Sequence, residues 1–150
     1  MANEWSRGPY VVSDDPERLD RAAVHRFIAG RSYWAEGIPA ELLARAIDHS
    51  LCFGLFHDGR QLGFARVVTD RATFGYLCDV FIEESRRGEG LGRWLVGCVL
   101  EHPDLQGLRR LALMTRDAHS LYADFGFRPM ADPGRYLEIH RPDVYRGARP

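Results

Sequence analysis

Lysine is absent from this chain, and all 20 of its Lys/Arg positions are arginine. That excludes a P-loop, whose G-x-x-x-x-G-K-[ST] pattern needs a lysine to reach nucleotide phosphates. Also missing is any apolar run near the ~18 residues of a membrane-crossing helix. The opening Met1-Ala2-Asn3-Glu4-Trp5-Ser6 has neither the cationic nor the apolar stretch of a secretory signal, so a cytoplasmic location is expected. Net charge is only −1, which supplies no overall field for nucleic acid or an anionic membrane. Cysteine is sparse: Cys52, Cys78 and Cys98 are odd in number and scattered through apolar stretches. Buried free thiols in a reducing compartment are the expectation, and no Cys/His spacing resembles a zinc site. Repeats, low-complexity tracts and long linkers are lacking too. What remains is an ordinary globular composition, 45% apolar over 150 residues, expected to form one domain over 1–150.

The pattern along the chain predicts a mixed α/β sheet and not the regular alternation of a doubly wound fold. Tyr10-Val11-Val12 reads as a first strand. Asp15 before Pro16 reads as a helix start, a capping residue ahead of proline. Val24, Phe27 and Ile28 give that helix its apolar face. An aromatic loop, Arg31 to Ile38, leads to a second helix after Pro39. Leu51–His57 and Gln61–Thr69 are strand-like and flank Asp58-Gly59, a hairpin signal. Thr73–Ile82 reads as another strand. A helix from Leu91 carries Leu95, Cys98 and Val99 at buried spacing. Arg109–Thr115, a short helix through Leu121 and Phe125, and terminal strands at Phe127–Pro129 and Tyr136–His140 complete the prediction.

Between the run ending at Ile82 and the helix at Leu91 lies Arg86-Arg87-Gly88-Glu89-Gly90-Leu91-Gly92. Alternate glycines let the backbone approach another molecule closely. The helix behind them points unpaired N–H groups and its positive dipole end at the turn. An anion, typically phosphate, suits that geometry. The dinucleotide fingerprint G-x-G-x-x-G fails, because Arg93 or Leu95 falls where its third glycine belongs. The pattern left is Arg87-x-x-Gly90-x-Gly92.

A second signature follows at residues 118–127, Ala-His-Ser-Leu-Tyr-Ala-Asp-Phe-Gly-Phe, or A-x-x-L-Y-x-x-x-G-F. With [RQ]-x-x-G-x-[GA] upstream, the chain resembles the GNAT superfamily of acyl-CoA-dependent N-acetyltransferases over nearly its whole length. It departs at Thr115, where many members carry asparagine. The resemblance implies a GNAT-like acyl-CoA N-acyltransferase fold, with a central, mostly antiparallel, splayed sheet and flanking helices. It implies acetyl-CoA as co-substrate without a metal, and acetyl transfer to a primary amine of a small molecule or peptide. It also admits a homodimer, while nucleic acid and membrane are not expected as partners.

Carried onto this chain, the resemblance assigns the pyrophosphate to the amides of Arg87, Gly88, Glu89, Gly90, Leu91 and Gly92. Arg86 and Arg87 can add charge-assisted contacts, and Glu89 must then point away. Pantetheine would lie along Val80, Phe81 and Ile82 like an added strand, with the Val80 N–H facing the thioester oxygen. An alkylamine with a pKa near 10.4 must lose a proton before it attacks, whereas the departing thiolate gains one. Tyr122 matches the family's proton donor. For the base, Asp79 stands mid-strand among apolar residues and either has a partner or faces a cleft. His119 lies one turn before Tyr122. Tyr33, Trp34 and Glu36, in the loop between the first two helices, are placed at the acceptor pocket. The competing reading is a catalytically idle acyl-CoA-binding regulatory or interaction module.

Overall fold

Strand-forming sequence between Glu4 and Leu113 pairs in chain order. The structure, a computed structural model describing residues 1–146, holds one six-stranded sheet ordered β1-β2-β3-β4-β5-β6. The strands are β1 (Glu4–Arg7), β2 (Tyr10–Ser13), β3 (Leu51–His57), β4 (Arg60–Thr69), β5 (Phe74–Ile82) and β6 (Arg110–Leu113). The first four neighbouring pairs are antiparallel, and β5 with β6 is parallel. The mixed, mostly antiparallel architecture matches the expectation. The Asp58-Gly59 signal resolves as a hairpin turn with positive φ at both positions, +52° and +79°, the geometry that suits the twist of β3 and β4.

Both faces of the sheet are covered. On one lie α1 (Arg21–Arg31) and α2 (Ala40–Asp48), whose Val24, Ile28, Leu43 and Ile47 bury against Cys52 and Phe64. On the other lies α3 (Leu91–Leu100), packing Leu95, Cys98 and Val99 onto Phe53, Leu55, Ala65 and Val67. Leu95 is wholly buried, so its truncation to alanine costs roughly 2–5 kcal/mol. A short α4 (His119–Ala123) follows β6. Every Lys/Arg-type cation in the described ion pairs is an arginine.

Three boundaries differ from the sequence reading. The Asp15-Pro16 start yields only a 3-10 turn over Pro16–Arg18, and α1 begins at Arg21 instead. There Asp20 accepts from the Ala23 N–H at 3.0 Å and supplies the real cap. The strand β1, too polar to show alternation, was not foreseen. Phe127–Pro129 and Tyr136–His140 form no strand, because no described residue pairs with them in a sheet.

Two irregularities open the sheet where β5 ends. Pairing between β4 and β5 passes from Phe64↔Phe81 to Arg66↔Cys78, so Asp79 and Val80 together oppose Ala65. This bulge holds Asp79 at φ +55°, in the left-handed region that aspartate tolerates better than most residues. Pairing of β5 with β6 stops at Leu77↔Leu113. From Cys78 to Ile82 the outer edge of β5 therefore has no strand neighbour among the described residues.

Candidate active site

The splayed edge of β5 feeds directly into the glycine turn. After Ile82 the backbone makes a 3-10 turn over Glu84–Arg86, then reaches Gly90, which caps α3 in a left-handed conformation at φ +77°. Gly88 is also left-handed, at +88°. A Cβ on Gly88 would meet nothing within 4 Å, so the turn is open above its backbone. No side chain caps α3. Its first helical bond runs from the Trp94 N–H to the Gly90 carbonyl at 3.1 Å, which leaves the preceding amides free to face a ligand.

The charged side chains around this turn are already engaged. Glu89 is turned outward and accepts from the Tyr10 hydroxyl at 2.9 Å. Arg86 leans toward β2 and β3, 3.3 Å from both the Tyr10 hydroxyl and His57 Nδ1. Arg87 donates through Nε to the Ile82 carbonyl at 3.2 Å and so covers one acceptor on the open edge. Glu83 and Glu84 are paired with Arg60 and Arg31, which offsets negative charge near the turn.

Across the opening, the aromatic loop and α4 meet β5. The Trp34 indole donates to Asp79 Oδ1 at 2.7 Å, and Arg66 Nε donates to Oδ2 at 2.7 Å. Arg66 also donates to the Ser50 hydroxyl at 3.0 Å. Asp79 is 8% exposed, and both of its carboxylate oxygens are hydrogen-bonded. Of the two alternatives the sequence left open, the geometry realises the partnered carboxylate. Arg66 was not singled out beforehand, although an arginine within Gly-Phe-Ala-Arg-Val-Val was the available signal. Tyr33 stacks edge-on to Trp34 at 5.0 Å between centroids, with the Arg116 guanidinium 3.8 Å over its ring. Burial raises the Tyr122 phenol's pKa, and neighbouring Tyr33 raises it further, so the phenol is protonated at neutral pH. The Tyr122 ring meets Phe127 at 5.7 Å, the contact made by the two ends of the L-Y-x-x-x-G-F signature.

The remaining predicted residues separate. Phe81 stacks on Phe27 of α1 at 4.0 Å, while Val80 packs toward α3, so only their backbone is offered to the opening. Glu36 lies 4.0 Å from Arg146, outside the Trp34–Asp79 cluster. His119 is exposed at the start of α4. Thr115, at the position where asparagine was the family habit, accepts from the Ala118 N–H at 3.0 Å and turns the chain into α4. Burial pushes the Cys52, Cys78 and Cys98 thiols up to about 12, so none supplies a thiolate nucleophile at neutral pH.

A splayed strand, a glycine turn capping a helix and an aromatic cluster at the same opening can be compared with known proteins. The sequence profile of the Acetyltransferase (GNAT) family matches residues 32–127, which runs from the aromatic loop through Phe127. The chain belongs to the GNAT acetyltransferase family. A GNAT-family protein from Xanthomonas campestris pv. campestris, described as a "putative acetyltransferase", has a crystal structure that superposes with a TM-score of 0.90 at 50% identity. That match covers 91% of this chain and 96% of the Xanthomonas one. A Gibberella zeae protein of the same description is 36% identical over 140 residues, covering 79% of this chain and 78% of its own. A Clostridium acetobutylicum acetyltransferase, solved with acetyl-CoA, shares the fold at a TM-score of 0.62 and 15% identity, covering 93% of this chain and 96% of its own. This GNAT chain is thus an acyltransferase.

Proposed function

We propose that this protein transfers acetyl from acetyl-CoA to a primary amine by direct attack in a ternary complex. The observation that carries the reading is the convergence of the unpaired Cys78–Ile82 edge, the open glycine turn and the Tyr33–Trp34–Asp79–Tyr122 cluster. The amides of Gly88 to Gly92 take the pyrophosphate, helped by the α3 dipole. Pantetheine adds to the β5 edge as a further strand, displacing Arg87 from the Ile82 carbonyl. The Val80 N–H, beside the bulge, points at the thioester oxygen, where negative charge gathers in the transition state.

The amine nitrogen then attacks the thioester carbonyl carbon, the C–S bond breaks, the thiolate takes its proton from the Tyr122 hydroxyl, and the proton released by the new amide nitrogen passes through water to restore the phenol. Acceptor recognition belongs to the faces of Tyr33 and Trp34, which attract a cationic amine. Because Asp79 is paired with Arg66, it positions Trp34 and the bulge, and the amine sheds its proton to water. The family's use of acetyl-CoA and the acetyl-CoA bound to the Clostridium relative support the donor. The protonated thiols favour direct attack over an acyl-cysteine intermediate.

The test is acetyl-CoA-dependent release of free thiol across a panel of small amines, amino acids and peptide N-termini. Turnover with at least one acceptor class is expected. Tight coenzyme binding with no release for any acceptor would instead identify a catalytically idle binding module.

A further inference from the structure

The Trp34–Asp79 cluster adjoins a second, longer cavity on the same face of the sheet. Across the β4–β5 ladder Arg66 stands opposite Cys78 and Val68 opposite Tyr76, and residues two apart on a strand share a face. Arg66, Val68, Tyr76 and Cys78 therefore lie together, on the face where Arg66 holds Asp79. From there an open groove of about 640 Å³ runs along Tyr76 and Phe74 toward Arg110, with Met114, Met130 and Tyr136 among its walls. Tyr76 marks the inner end. Its phenol pKa is raised by burial first and then by Cys78, Tyr136 and Asp79, while Arg66 opposes them. A protonated hydroxyl thus stands where the groove meets the cluster. Met114 lies two residues before Arg116, whose guanidinium covers one face of Tyr33.

Charge is distributed unequally along this line. At the inner end Asp79 is engaged by Trp34 and Arg66, and Arg116 rests on an aromatic ring. At the outer end Arg110 and Arg135 both line the groove, and neither forms an ion pair among the described residues. Asp132 is the single acid among the groove's lining residues, so two guanidiniums face one carboxylate. Guanidinium forks match the oxygens of a carboxylate or phosphate, and the thioether walls adapt to apolar chains of varied shape.

We propose that the acceptor is an amine with an apolar body and an anionic far end, the amine lying at the Trp34–Asp79 cluster, the body along Tyr76 and Phe74, and the anion on Arg110 and Arg135. The inference rests on the acetyl-transfer reading and names the class of its acceptor. Strand geometry sets the length. Phe74 and Cys78 are four residues apart on β5, roughly 13 Å at the rise of a strand. Arg110 pairs opposite Phe74, and its long side chain spans part of that distance. An α-amino acid is too short to reach both ends, whereas an ω-amino acid with a long methylene chain fits them.

Steady-state kinetics with 8-aminooctanoate and its neutral counterpart 8-aminooctanamide tests this. The carboxylate is expected to give a kcat/KM about tenfold higher. Comparison with 7-aminoheptylphosphonate tells a carboxylate-preferring site from a phosphate-preferring one. 4-Aminobutanoate, whose carboxylate stops short of Arg110, gains nothing over its amide. Arg110→Glu with Arg135→Glu reverses the preference, so that 1,8-diaminooctane becomes a better acceptor than 8-aminooctanoate. Damage to the fold would lower both acceptors alike. Calorimetry with the product analogue N-acetyl-8-aminooctanoate needs no turnover, and the full chain should bind it about tenfold more tightly than the corresponding amide. If that difference appears while no amine is acetylated, the acetyl-transfer reading fails and the anion site at Arg110 and Arg135 stands. Equal kinetics and binding for acid and amide, a wild-type preference for the diamine, or a preference that survives charge reversal would each overturn the assignment.

Discussion

The two sides of the opening are built in opposite ways. The proposed donor side is a contiguous stretch, from the end of β5 through the glycine turn into α3. The groups it offers are backbone amides aimed by local geometry. The proposed acceptor side gathers Tyr33, Trp34, Ser50, Arg66, Asp79, Arg116 and Tyr122 from three elements and three loops, and most of its groups are side chains holding one another. A backbone cradle tolerates drift in most side chains as long as its glycines remain. A side-chain cluster can change specificity with a single substitution. That difference explains how one fold keeps its coenzyme while its acceptors diverge.

The comparison can be broken first at Tyr122. Tyr122→Phe removes the proton donor but keeps the ring against Phe127, and kcat is expected to fall by ~10²–10⁴ with coenzyme affinity unchanged. Steady-state kinetics beside direct coenzyme titration checks this, and wild-type turnover would remove the role. Next comes Asp79→Asn, which leaves Arg66 without its counter-charge. Urea unfolding should show a loss of about 3 kcal/mol, again without change at the donor side. If coenzyme binding weakened as well, the two sides would not be separable.

A smaller effect is expected from Gly90→Val. A β-branched residue at φ +77° strains the cap of α3, so the coenzyme Kd should rise about tenfold while the acceptor KM stays constant. The mildest signature is in pH. The raised Tyr122 pKa keeps the phenol protonated in the folded chain, so kcat should show no loss from its ionisation below pH ~10. Above that value the unfolded chain ionises first, so folding stability falls as pH rises. A descending limb centred between pH 8 and 9 would point to a different acid.

Legibility in the sequence followed the same division. The glycine turn, the β3–β4 hairpin, α3 and the L-Y-x-x-x-G-F helix were readable because each is fixed by neighbours in sequence. Arg66 was missed because its role depends on a residue thirteen positions away across a bulge. Asp79 was noticed as an anomaly, but only the fold shows that Trp34 and Arg66 occupy its two oxygens. Glu36 was grouped with Tyr33 and Trp34 by proximity in sequence, yet the loop turns at Gly37 and carries it toward Arg146. The Tyr136–His140 pattern reads as a strand, but among the described residues it pairs with no other strand.

The all-arginine ion pairing has a consequence for an acyltransferase that, on the proposed reading, works with an activated acyl thioester. A lysine ε-amine is the same nucleophile that such a thioester is made to acylate, and acylation would cancel its charge. Guanidinium, with a pKa above 12, offers no neutral amine for that side reaction. The pairs at Arg66–Asp79, Arg31–Glu84 and Arg60–Glu83 therefore offer no amine for such a donor to acylate. In effect, the charges that hold the scaffold together lie outside the reach of such a reagent.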